Sequence, residues 1–308
     1  MNRLASAILA LFLCGTVSAN DKHPRPRLLG IFSVHFYSTN LPAARQFYAQ
    51  TLDDPGIACH WCEATPWETL TILMPSKQFL IFSAPTGAPP PNMLAEIVFA
   101  TDDAKAMREY LVDNKVEIEK RNDPDRPGWM ASGNLGSFTA LDADGHRIGF
   151  IQMPRTLLPS PHTNALRIIH AGFVVNDRAA EDHFYKDVLG FHVYWHGGRH
   201  EGTDDWAAMQ VPDGTDWVEY MLNIPPTANH HTFGVANHIA LGVEDIHTTQ
   251  RRVIENGLQS TEEPQIGLDG KWQLNVYDPD GTRTEFMEFK PVEKPCCSQF
   301  TGVQPGPE

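Results

Sequence analysis

The chain has 308 residues, 42% of them hydrophobic and 20% charged. That is enough apolar material for about two packed domains. Its 24 basic and 38 acidic residues leave a net charge of −14. Such a surface repels phosphate backbones and anionic lipid, which sets nucleic acid and bilayer surfaces aside as partners.

Residues 1–19, MNRLASAILALFLCGTVSA, place Arg3 before an apolar run and end on Val17-Ser18-Ala19. The pattern predicts a secretory signal peptide cut after Ala19, since the run is short for a membrane span. The mature chain is therefore expected to be exported, periplasmic or secreted, with no membrane attachment. Four cysteines remain after that cut: Cys59 and Cys62 in CHWC, and the adjacent Cys296 and Cys297. In an exported protein an even count predicts disulfides. Cys59–Cys62 would close a tight loop, and a link from the tail to either is open. The flanks GIACHWCEATPW lack the strand-to-helix setting of a redox CxxC.

From Leu28 the chain repeats its own pattern. LLGIFSVHFYSTNLPAARQFYAQTLD is echoed by RIIHAGFVVNDRAAEDHFYKDVLG from Arg167. Each stretch predicts a strand, a polar helix cap (Thr39-Asn40, Asn176-Asp177) and an amphipathic helix containing Phe-Tyr. Ala180, Phe184 and Val188 recur every four residues, and Gly190 ends that helix. LMPSKQFLIFSAP then parallels QVPDGTDWVEYML around Pro75 and Pro212. AEIVFATDDAKAMREYLVDNKV parallels NHIALGVEDIHTTQRRVIENGL, and LDADGHRIGFIQMP parallels YDPDGTRTEFMEFKP. The similarity fits an ancestral duplication. The fold class expected is α+β: four βαβββ modules paired into two half-barrel domains, 28–153 and 167–290. Residues 154–166 are a proline-flanked linker, and 291–308 are an irregular tail.

Four residues of the second half stand in apolar, β-branched runs: His170, Glu219, His238 and Glu285. Charge aimed at a core is costly unless it is paired or bound to a cation. Two imidazoles and two carboxylates, each on its own strand, suit one divalent transition metal with positions left open. Zn, Ni, Co, Mn and Fe all accept that set. Strand alternation puts Trp217 and Met221 on the face of Glu219, and Arg283 and Met287 on the face of Glu285. Gln273 and Asn275, on the preceding strand, complete the expected pocket wall. Glu288 points the other way and reads as a surface residue. His196, His200, His230 and His231 fall in segments read as loops at the cup mouth, with His230 and His231 the candidates there for substrate contact.

With these strands, ligand positions and the DPDG-x-x-x-E ending at Asp278–Glu285, the chain resembles the vicinal oxygen chelate superfamily. That family groups glyoxalases, bleomycin-resistance proteins and extradiol dioxygenases. The resemblance runs from Leu28 to Lys290, and the C-terminal half is most similar to glyoxalase I. It implies a metal held by His170, Glu219, His238 and Glu285. The first half has Ser33, Phe82, Glu96 and Gly149 at the matching landmarks, and no site is expected there.

Two chemistries are implied. In a glyoxalase-like lyase or isomerase the cation stabilises an enediolate of a small oxygenated substrate while a carboxylate moves the proton. Glu285 is the favoured base and Glu219 the alternative. An extradiol-type Fe(II) dioxygenase needs only two His and one carboxylate. Such enzymes resemble each other in a His where Glu219 stands, a Tyr where Asn275 stands and a further His upstream, all missing here. A ligand-sequestering protein without catalysis is the third reading, disfavoured by the four-ligand set. The partner expected is a small molecule, and the chain a monomer or homodimer.

Overall fold

A computed structural model describes residues 23–53, 69–120, 136–152, 165–259 and 262–307. The predicted leader, Cys59, Cys62 and most of the linker lie outside them. No helix among the described residues is long and apolar enough to cross a membrane.

The first half runs β1 (Leu28–Tyr37), α1 (Leu41–Leu52), β2 (Thr69–Leu73), β3 (Phe79–Ser83), β4 (Leu94–Thr101), α2 (Ala104–Asp113), β5 (Ser137–Leu141) and β6 (Arg147–Gln152). Its six strands pair in the order β2-β3-β1-β4-β6-β5. The second half runs β7 (Arg167–Val174), α3 (Arg178–Asp182), β8 (His192–Gly197), β9 (Trp206–Gln210), β10 (Trp217–Met221), α4 (His230–Ala236), β11 (His238–Val243), α5 (Ile246–Glu255), β12 (Gln265–Ile266), β13 (Trp272–Tyr277) and β14 (Arg283–Glu288). Its eight strands, ordered β12-β13-β14-β11-β7-β10-β9-β8, curve into a half-barrel. The expected α+β architecture is therefore present.

The caps form as the sequence dictates. Asn40 Oδ1 accepts from Ala43 N at 3.1 Å, and Asp177 Oδ1 accepts from Ala179 and Ala180 N, satisfying first-turn amides that have no partner within the helix. The second helix departs from the expected α spacing. After α3 the chain widens into a π turn, His183–Val188, which still buries Phe184, Tyr185 and Val188. Gly190 closes it at φ +80°, as predicted. Residues 230–236, read as loop, form the short helix α4, capped by Asn229.

The two halves share one apolar core. Phe99 meets Phe191 edge-on with centroids 5.5 Å apart, and Tyr110 Oη donates to the Val188 carbonyl at 2.7 Å. At the centre two turns exchange hydrogen bonds across the halves. Ile31 N donates to Asp216 Oδ2 and Ile168 N to Gln78 Oε1, both at 2.8 Å. Gln78 Nε2 returns bonds to the carbonyls of Ile31 and Ile168, each at 2.9 Å.

This reciprocal pair also corrects one correspondence. Met74 N closes its turn on the Gln78 carbonyl, whereas Val211 N closes on that of Asp216, one residue further along. The longer turn slips the register by one. Trp217 lies opposite His170 as Phe79 lies opposite Ser33, so the counterpart of Glu219 is Ile81, not Phe82. Ile81 sits in the apolar cluster with Phe32 and Val98.

The described residues of the tail, 291–307, form no helix or strand but are packed. Thr301 N donates to the Tyr194 carbonyl at 3.0 Å, and Gln210 Nε2 to that of Val303 at 2.8 Å. Cys296 and Cys297 are disulfide-bonded to each other, which leaves neither free to join the CHWC pair.

Candidate metal centre

The four expected ligands arise from four consecutive strands, β14-β11-β7-β10, and converge on one face of the half-barrel. His170 on β7 pairs across to Ala240, which pairs in turn with Glu285 on β14. Gly172 lies between His238 on β11 and Glu219 on β10. His170 Nε2 and His238 Nε2 are 3.0 Å apart. Glu219 Oε2 is 3.9 Å from the first and 3.5 Å from the second; Glu285 Oε2 is 3.7 and 3.5 Å from them. Donor atoms bonded at about 2.1 Å to a shared cation stand roughly 3–3.5 Å apart. The cluster is therefore close to the dimensions of a coordination sphere.

Electrostatics points the same way. Burial holds both imidazoles well below their ordinary pKa, so they are neutral with a lone pair to offer. His238 Nδ1 stands 2.9 Å from the Ala236 carbonyl, which fixes the proton there and turns Nε2 inward. His170 Nδ1 is buried without a hydrogen-bond partner among the described residues. Burial, then the charge of Glu285, pushes the Glu219 carboxyl up to about 8. Two acids facing each other in a covered site call for positive charge. Arg283 already leans in, its Nη2 2.7 Å from His238 Nε2 and 3.9 Å from Glu285 Oε2. The donor set fits a divalent cation.

One glycine makes room for this geometry. A Cβ built on Gly172 would lie 2.0 Å from His238 Cε1. Gly172→Ala is therefore expected to swing the His238 ring out and weaken cation binding at least about tenfold, with little change in far-ultraviolet circular dichroism. Calorimetric titration with Zn²⁺ checks it; unchanged affinity would mean that the ring need not stay where it lies.

Two of the four ligands, Glu219 and Glu285, open onto a cavity of about 310 Å³. Of the expected wall, Trp217, Gln273, Asn275, Arg283 and Met287 line it. Met221 does not: it packs with Val174 and Ala236. Glu288 faces away and accepts from Ile246 N at 3.0 Å, holding the start of α5. His230 stands 2.7 Å from the Asp280 carbonyl, and neither it nor His231 lines the cavity. His196 and His200 border a separate groove beside the tail.

Four wall segments escaped the sequence reading: β8 and β9 with Tyr194 and Trp206, residues 265–269 at β12, and the tail with Phe300. Behind them Lys271 is fully buried, its Nζ 4.8 Å from the Trp217 ring centroid and 5.2 Å from that of Phe300. Burial lowers its pKa to about 8, and the neighbouring Asp269 and Glu285 charges offset that only in part; the aromatic rings add cation–π contact. Nothing in the local string LDGKWQ distinguishes this lysine from a surface one.

Among the described residues of the first half, no such cluster of His and acid side chains lies on its cup face. Glu96, buried, accepts from Thr139 Oγ1 at 2.5 Å, and a Cβ at Gly149 would stand 2.9 Å from Glu96 Oε1. The lone carboxylate fills the space that a side chain at position 149 would need.

Buried acids also set a pH dependence. Burial pushes Glu219 to about 8, Glu181 to about 9 and Asp278 to about 7. The same groups titrate near 4 in an unfolded chain. Ordinary histidines are half-deprotonated near pH 6.5 and Lys271 near 8, so between these values the three acids dominate the difference in bound protons. In that window the cation-free folded chain holds protons that the unfolded chain has released, so its stability falls as pH rises. A melting temperature that drops between pH 6.5 and 8 without cation is expected; a flat or rising one contradicts it.

Paired strand–helix–strand modules cupped around a His/Glu cluster define a half-barrel of the vicinal oxygen chelate type. Residues 167–286 match the Glyoxalase/Bleomycin resistance protein/Dioxygenase superfamily model. A lactoylglutathione lyase of Haemophilus influenzae is 32% identical over 127 residues, 41% of this chain and 94% of that enzyme. The chain belongs to this superfamily. In fold it is similar to homoprotocatechuate 2,3-dioxygenase of Brevibacterium fuscum (TM-score 0.62, 18% identity, 86% of this chain and 82% of that one). The Arthrobacter globiformis dioxygenase of the same name gives 0.60 and 16%, over 86% and 81%. Its relatives by sequence and fold are enzymes that act on small molecules.

Proposed function

We propose that the chain is a glyoxalase-like lyase or isomerase that depends on one divalent cation. The carrying observation is the meeting of two neutral imidazoles with two carboxylates, one acid more than a three-ligand face needs. When bound, the cation supplies Lewis-acid polarisation of a substrate oxygen. The chain's own groups do the rest. His170, His238 and the glutamates hold the ion; Glu285, or alternatively Glu219, takes a proton from the carbon beside a carbonyl and returns it to the neighbouring carbon. Trp217, Trp206 and Phe300 shield that transfer from water, and Arg283 offers charge to an anionic substrate group.

The substrate class is a small α-hydroxycarbonyl or its thiol adduct, sized for the 310 Å³ cavity. Among the described lining residues Arg283 is the one strongly basic group at the cavity, which supports a substrate with fewer carboxylates than glutathione. The extradiol reading has less support. Asn275 occupies the place of the expected Tyr and is bonded to Glu262 at 2.9 Å, and the lining stretch 265–269 carries no histidine.

We further propose that the chain is exported, supported by the Cys296–Cys297 disulfide. Assay of the protein loaded with Ni, Co, Mn, Zn or Fe(II) in deuterated water tests the function. Isomerised product carrying deuterium without oxygen uptake is expected. Oxygen consumption with catechols, under Fe(II) alone, would transfer the chain to the dioxygenase reading.

A further inference from the structure

Outside the cup, a second group of metal-binding side chains lies where the halves meet. Asp142 and His146 belong to the turn between β5 and β6, and Glu181 to α3. One donor atom of each lies within 4.8 Å of the other two. His146 Nδ1 and Asp142 Oδ2 are 2.9 Å apart, a separation at which both can touch one ion. The side chain of Asp142 is covered and Glu181 is 0% exposed, while His146 keeps 17% of its side-chain surface, a way in from solvent.

The molecule contains its own control for this cluster. Turn 142–146 docks on the start of α3, where Asn176 N donates to Asp144 Oδ2 at 2.6 Å. Turn 278–282 docks likewise on the start of α1, where Thr39 N donates to Asp280 at 3.1 Å. In that second clasp Thr282 stands in the place of His146, and Ala44 in the place of Glu181. The fold thus closes the same joint, buried Asp278 and Asp280 included, without an imidazole at the turn's last position and without an acid on the facing helix. His146 and Glu181, present at one joint alone, are therefore not needed for docking.

Glu181 supplies an independent sign. Its Oε1 accepts from Asp144 N at 2.7 Å, but Oε2 is buried with no hydrogen-bond partner among the described residues. Two carboxyls in contact in a covered site cannot both ionise without positive charge between them. A shared proton or a bound cation meets that need. An imidazole beside them and a path to solvent favour the cation, because two oxygens and one nitrogen are a common divalent transition-metal set.

We infer that Asp142, His146 and Glu181 form a second divalent-cation site, distinct from the cup, which ties the first half to the second. The inference stands apart from the catalytic reading. It is tested on the full chain carrying H170A and H238A, which removes both cup imidazoles. After dialysis against Zn²⁺ and then metal-free buffer, about one zinc per chain is expected, with a raised melting temperature. Adding H146T and E181A copies the clasp at 278–282, so folding without zinc is expected to persist, while zinc content falls to background. In the otherwise wild-type chain the same two changes take zinc from two equivalents to one. No retained zinc in the H170A/H238A chain, as a shared proton predicts, overturns the site. So does retention that H146T and E181A leave unchanged.

Discussion

The His238→Ala protein is expected to lose cation binding in the cup and to turn over at under about one-thousandth of the wild-type rate. His238 is the ligand most thoroughly prepared by the fold. Its Nδ1–H donates to the Ala236 carbonyl, its ring fills the space left by Gly172, and its Nε2 lies within 3.5 Å of three other ligand atoms. Without it two acids and one imidazole remain, and the acids repel. Removing one buried imidazole should leave the fold intact with a stability change of about 1–3 kcal/mol. Metal analysis, turnover and thermal melting of the same preparation check the expectation. Wild-type turnover by a protein that no longer holds cation at this centre would detach the chemistry from the metal.

Glu285→Gln is the second large effect, of a different kind. The amide keeps the shape and an oxygen ligand but cannot take a proton. Turnover should fall by roughly 10²- to 10⁴-fold, with deuterium incorporation falling alongside, while the cation is retained more fully than in the His238→Ala protein. Glu219→Gln is the matched comparison. Both acids line the cavity, and Glu219 has the more open side chain, 14% against 3%. Whichever change costs more identifies the group that carries the proton. Equal, small losses for both would remove the carboxylates from the reaction.

Much of this was legible in the chain. The repeated strand-cap-helix pattern places β1 and β7, and strand alternation puts Glu219 and Glu285 on a common face. Local signals suffice there because caps and period-two burial are short-range physics. The misses are long-range. The counterpart of Glu219 slipped from Ile81 to Phe82 because one extra residue in turn 212–216 changes register without changing the Pro75/Pro212 landmark. Met221 left the pocket because it is buried in a separate apolar cluster with Val174 and Ala236. Lys271, Phe300 and the Asp142–His146–Glu181 cluster unite segments far apart in sequence, and no local pattern announces such meetings. Asp216 stands in a turn, yet it is 1% exposed and bonded to the other half, a pairing that no local pattern announces.

The most direct measurement is an anomalous difference map from crystals of the zinc-loaded protein. It should show a peak in the second half-barrel about 2.0–2.1 Å from His170 Nε2 and His238 Nε2, with Glu219 or Glu285 completing the sphere. Saturating zinc with no peak among these four side chains, or imidazoles turned away from one another, would contradict the account.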